Sequence, residues 1–340
     1  MSASDSVVAA RPPQQWALRP WLRTRTLLLL LLLAALALVS ARRTEIDRMF
    51  ALSAEAVAVG VGGEGHSQVL DGLARIVGHL WPLQLSETRP VSRIENFDRA
   101  QLPWGSHLEV ERRREQHLDP DTLQMTETTV EREVLVEPYG YLLHVLWLMV
   151  ETLEIAAWGT LIAIVLAAPL AVLGARGYSP NRAVYALTRG ISSLLRAIPD
   201  LVSALFLVLA FGFGPIAGVL ALGLHTAGFL GKFFAEDVEN APRGPQDALR
   251  AAGAGRLELL RYAVLPQVLP SYIGYIQYIL ERNIRTATVI GIVGAGGIGQ
   301  ELKGRFEMFD FQHVGTILVV IFLTVVALEL ITGRMRARLI

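Results

Sequence analysis

Long apolar blocks dominate this chain, and inside lipid each must satisfy its own backbone N–H and C=O groups without water. Thr26 to Ala41 is a dense Leu/Ala run, and Tyr141 to Ala175 is a second block long enough to cross a bilayer with tilt. A third runs from about Ala183 to Phe211, beginning amphipathic and turning apolar, until Gly212-Phe213-Gly214-Pro215 breaks it. Ile216 to Phe234 is apolar and Gly-rich. Ser271 to Gly299 is weaker, with internal charges, and Val314 to Ile331 is followed by Arg334, Arg336 and Arg338. These blocks predict an all-α integral membrane protein with six transmembrane helices. Composition agrees, since only 18% of residues are charged where a soluble domain carries about a quarter.

Arginines set the expected orientation. Arg11, Arg19, Arg23 and Arg25 precede the first run, giving a tail over 1–25 and a first helix over 26–41. Val39-Ser40-Ala41 matches a small-x-small cleavage pattern, but Arg42 and Arg43 follow at once, so the run reads as an uncleaved signal-anchor. An even number of spans puts both termini on one side, with the loops around Arg176/Arg182 and Arg243–Arg261. The positive-inside bias makes that side the cytoplasm. Residues 42–140 then face the periplasm, and 141–340 hold the other five helices with a polar segment at 235–270. Net charge is zero, which gives no reason to expect nucleic acid as a partner. The absence of cysteine excludes disulfides, Cys-zinc sites and thiol catalysis.

The polar segment contains Asp247-Ala-Leu-Arg-Ala-Ala-Gly253 and then Leu265-Pro266. Ala248, Ala251 and Ala252 give a slim helical face, Gly253 permits the positive φ that ends a helix, and Pro266 punctuates the next one. The pattern resembles the cytoplasmic coupling loop of bacterial ABC-transporter permeases, which seats in a groove of the ATPase subunit. It departs from that pattern where the family reads Glu-Ala-Ala and this chain has Asp247-Ala248-Leu249.

From about Glu151 onward the chain resembles the phosphonate-type ABC importer permeases. The resemblance rests on Glu151-Thr-Leu-Glu154 with Gly159-Thr160, on Leu195-Arg-Ala-Ile-Pro-Asp200, and on Gly214-Pro215. It continues through Leu224-His-Thr-Ala-Gly228, Gly231-Lys232, Arg261 to Pro270, and Thr286 to Gln300. It implies the type I ABC importer permease fold in a bacterial inner membrane and a second copy of the chain as dimer partner. It also implies an ABC ATPase homodimer that binds the ATP, a periplasmic solute-binding protein, and a phosphonate-like anion as solute. No cofactor is expected on this chain. Leu85 to Pro138 departs from the family as an insertion, with Glu111-Arg-Arg-Arg-Glu115 and an alternating run from Thr126 to Val136. It reads as a small β appendage or a docking surface for the binding protein.

Gly294-Ala-Gly-Gly-Ile-Gly299 spells the dinucleotide fingerprint, but no βαβ pattern surrounds it, and Glu301, Glu307 and Asp310 follow too closely. Gly294, Gly296, Gly297 and Gly299 are instead expected to allow close packing or an unwound stretch along a path. Charges inside spans are costly and commonly functional. Arg196 and Asp200 are spaced to pair along one helix face, as are Glu281 and Arg285, beside Arg282. With His225 on the Gly-rich span, these are candidates for an anion path, or for structural ion pairs. His66, His79, His107 and His117 lack ligand-like spacing, so no metal site is expected. There is no Walker A sequence and no nucleophile–base arrangement, so the chain is not expected to be an enzyme. An importer of the same architecture for an amino acid, phosphate or phosphite is the alternative. A secondary transporter would leave the coupling loop unexplained.

Overall fold

The computed structural model describes residues 24–62, 65–95, 97–99, 102–118 and 125–339. Arg11, Arg19 and Arg23 of the expected basic tail lie outside these, as do the side chains of Arg25, Arg336 and Arg338. Contacts divide the chain into two units, Met1–Val77 and Gly78–Ile340.

In the first unit, α1 (Thr24–Arg43) and α2 (Ile46–Gly60) are joined by Glu45 in a left-handed turn with φ 52°. The Leu side chains of α1 are exposed along its length, which suits a helix whose neighbours are lipid. A third helix, α3 (Gln68–Leu80), crosses the unit boundary with Val69, Leu73, Ile76, Val77 and Leu80 at helical spacing. The stretch after the first span, read from sequence as merely polar, therefore begins with two short helices.

The second unit opens with three antiparallel strands, β1 (Glu87–Pro90), β2 (His107–Leu118) and β3 (Met125–Glu137), in the order β1-β3-β2. The alternating run expected at Thr126–Val136 forms β3. Val134 and Leu135 are buried at its base, and farther out Arg112 pairs with Glu131 across the ladder at 2.8 Å. The helical fold thus carries a small sheet.

The long helix α4 (Gly140–Leu173) organises everything else. Its buried positions Tyr141, Val145, Met149, Thr152, Ala156, Gly159, Ala163, Ala167 and Ala171 recur every three or four residues, while Trp147, Trp158 and Val165 face outward. Along the lower part of that stripe the residues are small, so α7 (Pro215–Asn240) comes in close. A Cβ added at Gly159 would lie 2.8 Å from the Leu222 Cβ, and one at Gly231 would lie 2.9 Å from the Leu170 Cβ. Close approach of this kind replaces the hydrophobic drive that lipid removes. A polar tie adds the next helix, α10 (Leu265–Ile290). Thr226 of α7 donates to Asn283 Oδ1 at 3.1 Å, and Asn283 Nδ2 donates to Thr160 of α4 at 2.9 Å.

Among the described residues, four single helices are long and apolar enough to cross a membrane: α1, α4, α7 and α12 (Phe311–Leu339). The block expected as one span over 183–211 is instead α5 (Arg182–Ala197) and α6 (Asp200–Phe211), bent by 90°. Pro199 is the cause. It lacks an N–H to continue α5 and holds Ile198 in extended backbone, with ψ 123°. Counting the bent pair as one span gives five. The expected Ser271–Gly299 span is α10, which has the length but carries Glu281, Arg282 and Arg285, and then breaks before the short α11 (Ile298–Glu307).

Replacing Gly159 with Val should overpack the α4–α7 contact and cost about 1–3 kcal/mol, read as a lowered thermal midpoint in detergent. Gly190 of α5 has nothing within 4 Å of an added Cβ. Gly190→Ala should therefore leave the midpoint unchanged or raise it, by up to ~1 kcal/mol.

Candidate functional site

After α7 the chain turns at Pro242 into α8 (Arg243–Ala251), which carries Asp247, Ala248 and Ala251 on the outside. Gly253 has φ +84°, and this left-handed residue lets the Ala254 N–H reach the Leu249 carbonyl at 3.0 Å, closing the helix. Nothing lies within 4 Å of a Cβ added there, so backbone conformation rather than space demands glycine. A single turn, α9 (Arg256–Glu258), follows, with Glu258 accepting the Gly255 N–H at 2.7 Å. The chain then passes through a π-helical turn at Leu259–Val264 directly into α10. Leu265 and Pro266 form the first turn of α10, and Pro266, lacking an N–H, cannot extend the π-helical bonding, whose last bond runs from the Leu265 N–H to the Leu260 carbonyl.

The base of this loop is fixed. Gln246 is buried and donates to the carbonyls of Ala241 and Pro242, both at 3.2 Å, while Leu259, Ala263 and Val264 pack inward. Its tip is open: Asp247, Ala248, Ala251, Ala252 and Gly253 are exposed, and Leu257 is 79% exposed. The tip thus presents small residues and Leu257 beside the exposed charges of Asp247, Arg250 and Arg256.

The second group of candidates lies where α5 breaks. Arg196 and Asp200 do not pair, because Pro199 turns the chain between them. Arg196 has no ion pair among the described residues. The Asp200 carboxylate goes instead to α10, 3.2 Å from Arg282 Nη2, and lies 3.2 Å from His225 Nδ1 of α7. His225 is buried, and its contacts fit one tautomer. Nδ1–H donates to the Ile198 carbonyl at 2.9 Å, and Nε2 accepts from Arg282 Nη2 at 3.0 Å. The Arg282 guanidinium also lies 4.9 Å from the centre of the Phe229 ring. Glu281 and Arg285 pair on their own helix at 2.8 Å, as their spacing predicts. Of the expected path residues, then, Asp200 and His225 are brought together, Arg285 stays with Glu281, and the hub is Arg282. Pro199, a helix breaker placed beside an acid, was the sequence cue that Asp200 would leave Arg196, and it carried no pointer to Arg282.

The glycine run lies at the end of α10, where Gly294, Gly296 and Gly297 have φ of 93°, 83° and 70°. Side chains of α4 hold it: Glu151 accepts the Gly297 N–H at 3.2 Å and Thr152 accepts the Ile298 N–H at 2.9 Å, capping α11 from another helix. A Cβ at Gly297 would collide with Thr152, one at Gly294 with Phe213, and one at Gly299 with the Thr288 carbonyl. The run follows helix, not strand, and serves close packing. A further polar group escaped the sequence reading altogether. Arg305 of α11 reaches Glu301 at 2.8 Å and Asp310 at 3.1 Å, and lies 4.9 Å from the Tyr141 ring centre, while His313 meets Asp310 at 2.7 Å.

Residues 155–339 match the family described as binding-protein-dependent transport system inner membrane component. The putative phosphite transport system permease protein HtxE of Stutzerimonas stutzeri is 55% identical over 261 residues, 77% of this chain and 100% of that protein. A match of that length within 340 residues has to include the strand-bearing segment. The putative phosphite transport system permease protein HtxC of the same organism is 45% identical over 186 residues, 55% of this chain and 66% of that protein. Among solved structures, an inward-facing MetNI methionine ABC transporter aligns with TM-score 0.50 at 22% identity, covering 57% of this chain and 97% of that one. That likeness shows the fold. The chain belongs to the binding-protein-dependent transport system inner membrane component family, as a multi-pass permease subunit that is not itself an enzyme.

Proposed function

We propose that this chain is the permease through which an ABC importer moves phosphite, phosphonate or a related phosphorus oxyanion into the cytoplasm. The observation that carries the solute class is the match to a phosphite-named permease over that protein's entire length. Uptake of labelled phosphite by proteoliposomes holding the permease, its ATPase and its binding protein tests it. Loss of competition by methylphosphonate and phosphate alike would count against the class.

Both termini lie in the cytoplasm in this reading, with the coupling loop, and six segments cross the membrane, α10 among them. The strands of 85–138 then stand in the periplasm. Arginines at 176, 182, 243, 250, 256 and 261 on one side support that orientation. The exposed tip from Asp247 to Gly253 docks into the ATPase, and ATP is bound there and not by this chain. Two copies of the chain form the pore, with lipid around their outer faces. HtxE and HtxC share an organism and a phosphite label, which favours a mixed permease pair as the second reading. Mass measurement of the purified complex separates the two. Arg196, Asp200, His225, Glu281 and Arg285 are proposed to flank the path, with the glycine run near its end.

Gly253→Val should strain the left-handed turn by at least ~1 kcal/mol and loosen the loop. Co-purification of the ATPase and uptake should both fall while membrane insertion stays normal; intact ATPase binding and uptake in this variant reject the docking role. The chain has no cysteine, so single probes report sidedness directly. Trp104→Cys and Gly333→Cys should label from opposite sides of the membrane with an impermeant maleimide. Labelling from the same side means that the span count is wrong.

A further inference from the structure

The Arg282 guanidinium is held by three neighbours on two other helices, Asp200, His225 and Phe229, and still keeps donors open. Both of its hydrogen bonds, to Asp200 and to His225, use Nη2. Among the described residues, Nε and Nη1 have no hydrogen-bond partner, and the side chain is 27% exposed. Its neighbours position it without saturating it. Neutral His225 accepts one N–H, the Phe229 ring attracts the cation, and Asp200 supplies one oxygen. The other Asp200 oxygen, Oδ1, is buried 3.2 Å from His225 Nδ1, whose N–H goes to the Ile198 carbonyl, so it has no hydrogen bond of its own. The Asp200–Arg282 contact is therefore single-handed on both sides, weaker than the two-pronged pairing a guanidinium forms with a carboxylate or a phosphorus oxyanion.

We propose that Arg282 is the residue of the permease that grips the transported oxyanion, and that Asp200 is a placeholder that the solute displaces. This rests on the reading that the solute is a phosphorus oxyanion. Such an anion offers the same paired oxygens as a carboxylate and engages the open Nε–Nη edge as well. Asp200 keeps favourable surroundings when it lets go, because it is the first residue of α6 and its charge faces the positive end of that helix. It also sits directly after the Pro199 bend, so exchanging Asp200 for solute unties α6 from α10 at the joint between α5 and α6. Capture of the anion and release of that joint become one event. Arg285 differs: its partner Glu281 is on its own helix, so replacing that partner unties nothing.

A plain structural clamp between α6 and α10 is the competing role, and three variants separate it. The assay is phosphite uptake by the complete importer in proteoliposomes, with assembly followed by size-exclusion chromatography. Arg282→Lys keeps the charge and loses the fork, and should cut uptake ~10-fold or more in an assembled complex. Asp200→Asn should assemble and lower the half-saturating phosphite concentration several-fold while slowing turnover, because the anion no longer meets a competitor. The double variant Asp200→Asn with Arg282→Gln removes both charges, and should assemble but not transport. Transport restored in the double variant, or wild-type uptake with Arg282→Lys, overturns the proposal and leaves only a clamp. A half-saturating concentration unchanged by Asp200→Asn also counts against the placeholder. A wild-type importer that moves no phosphorus oxyanion at all instead refutes the solute reading, before any variant is compared.

Discussion

The contact between α4 and α7 is the constraint on which the rest of the molecule depends. Lipid gives two helices no hydrophobic reason to associate, so they are held by packing and by hydrogen bonds. Here Gly159 and Gly231 remove the side chains that would keep the backbones apart. Once the two are close, Thr160 and Thr226 face the same gap, and Asn283 fills it by bonding to both. That fixes the rotation and register of α10. Arg282 is the neighbour of Asn283, so the same two hydrogen bonds set where its guanidinium falls against His225 and Phe229.

The other end of α4 acts through its polar side chains. Glu151 and Thr152 supply acceptors to the backbone that α11 leaves unsatisfied, which allows a glycine-rich chain to leave helical geometry without stranded N–H groups. An unwound stretch is tolerated at membrane depth only when protein surrounds it. A step farther along, Tyr141 of the same helix lies under Arg305. One helix thus organises close packing at one end and polar satisfaction at the other.

Much of this was legible in the sequence, and the failures have physical causes. α1, α4, α7 and α12 are long and apolar, and length with composition is what decides a span. The coupling loop could be read from Gly253 because a positive φ has few substitutes, and β3 from its alternation. An unbroken helix over 183–211 failed because continuous apolarity outweighed one proline, although the backbone obeys the proline. With the bend, the expected Arg196–Asp200 pair lost its helical spacing. Arg282 as hub was not legible, since its partners are 57 and 82 residues away and only the packing of three helices brings them together. α2 and α3 went unseen because they are short helices in a polar stretch.

The bend at Pro199 also bears on how the chain sits in the bilayer. α6 has 12 residues, about 18 Å of helix, against a hydrocarbon core of ~30 Å. Alone it cannot hold a transmembrane position, and the amphipathic α5 is no better suited to lipid. The turn through Gly212 and Gly214 joins α6 to α7, which is long enough and apolar enough to stay in place. α6 therefore depends on α7, which follows it in the chain, for its hold in lipid. The break that exposes Asp200 to its partners thus leaves the place of this region in the bilayer set by its neighbour rather than by its own length.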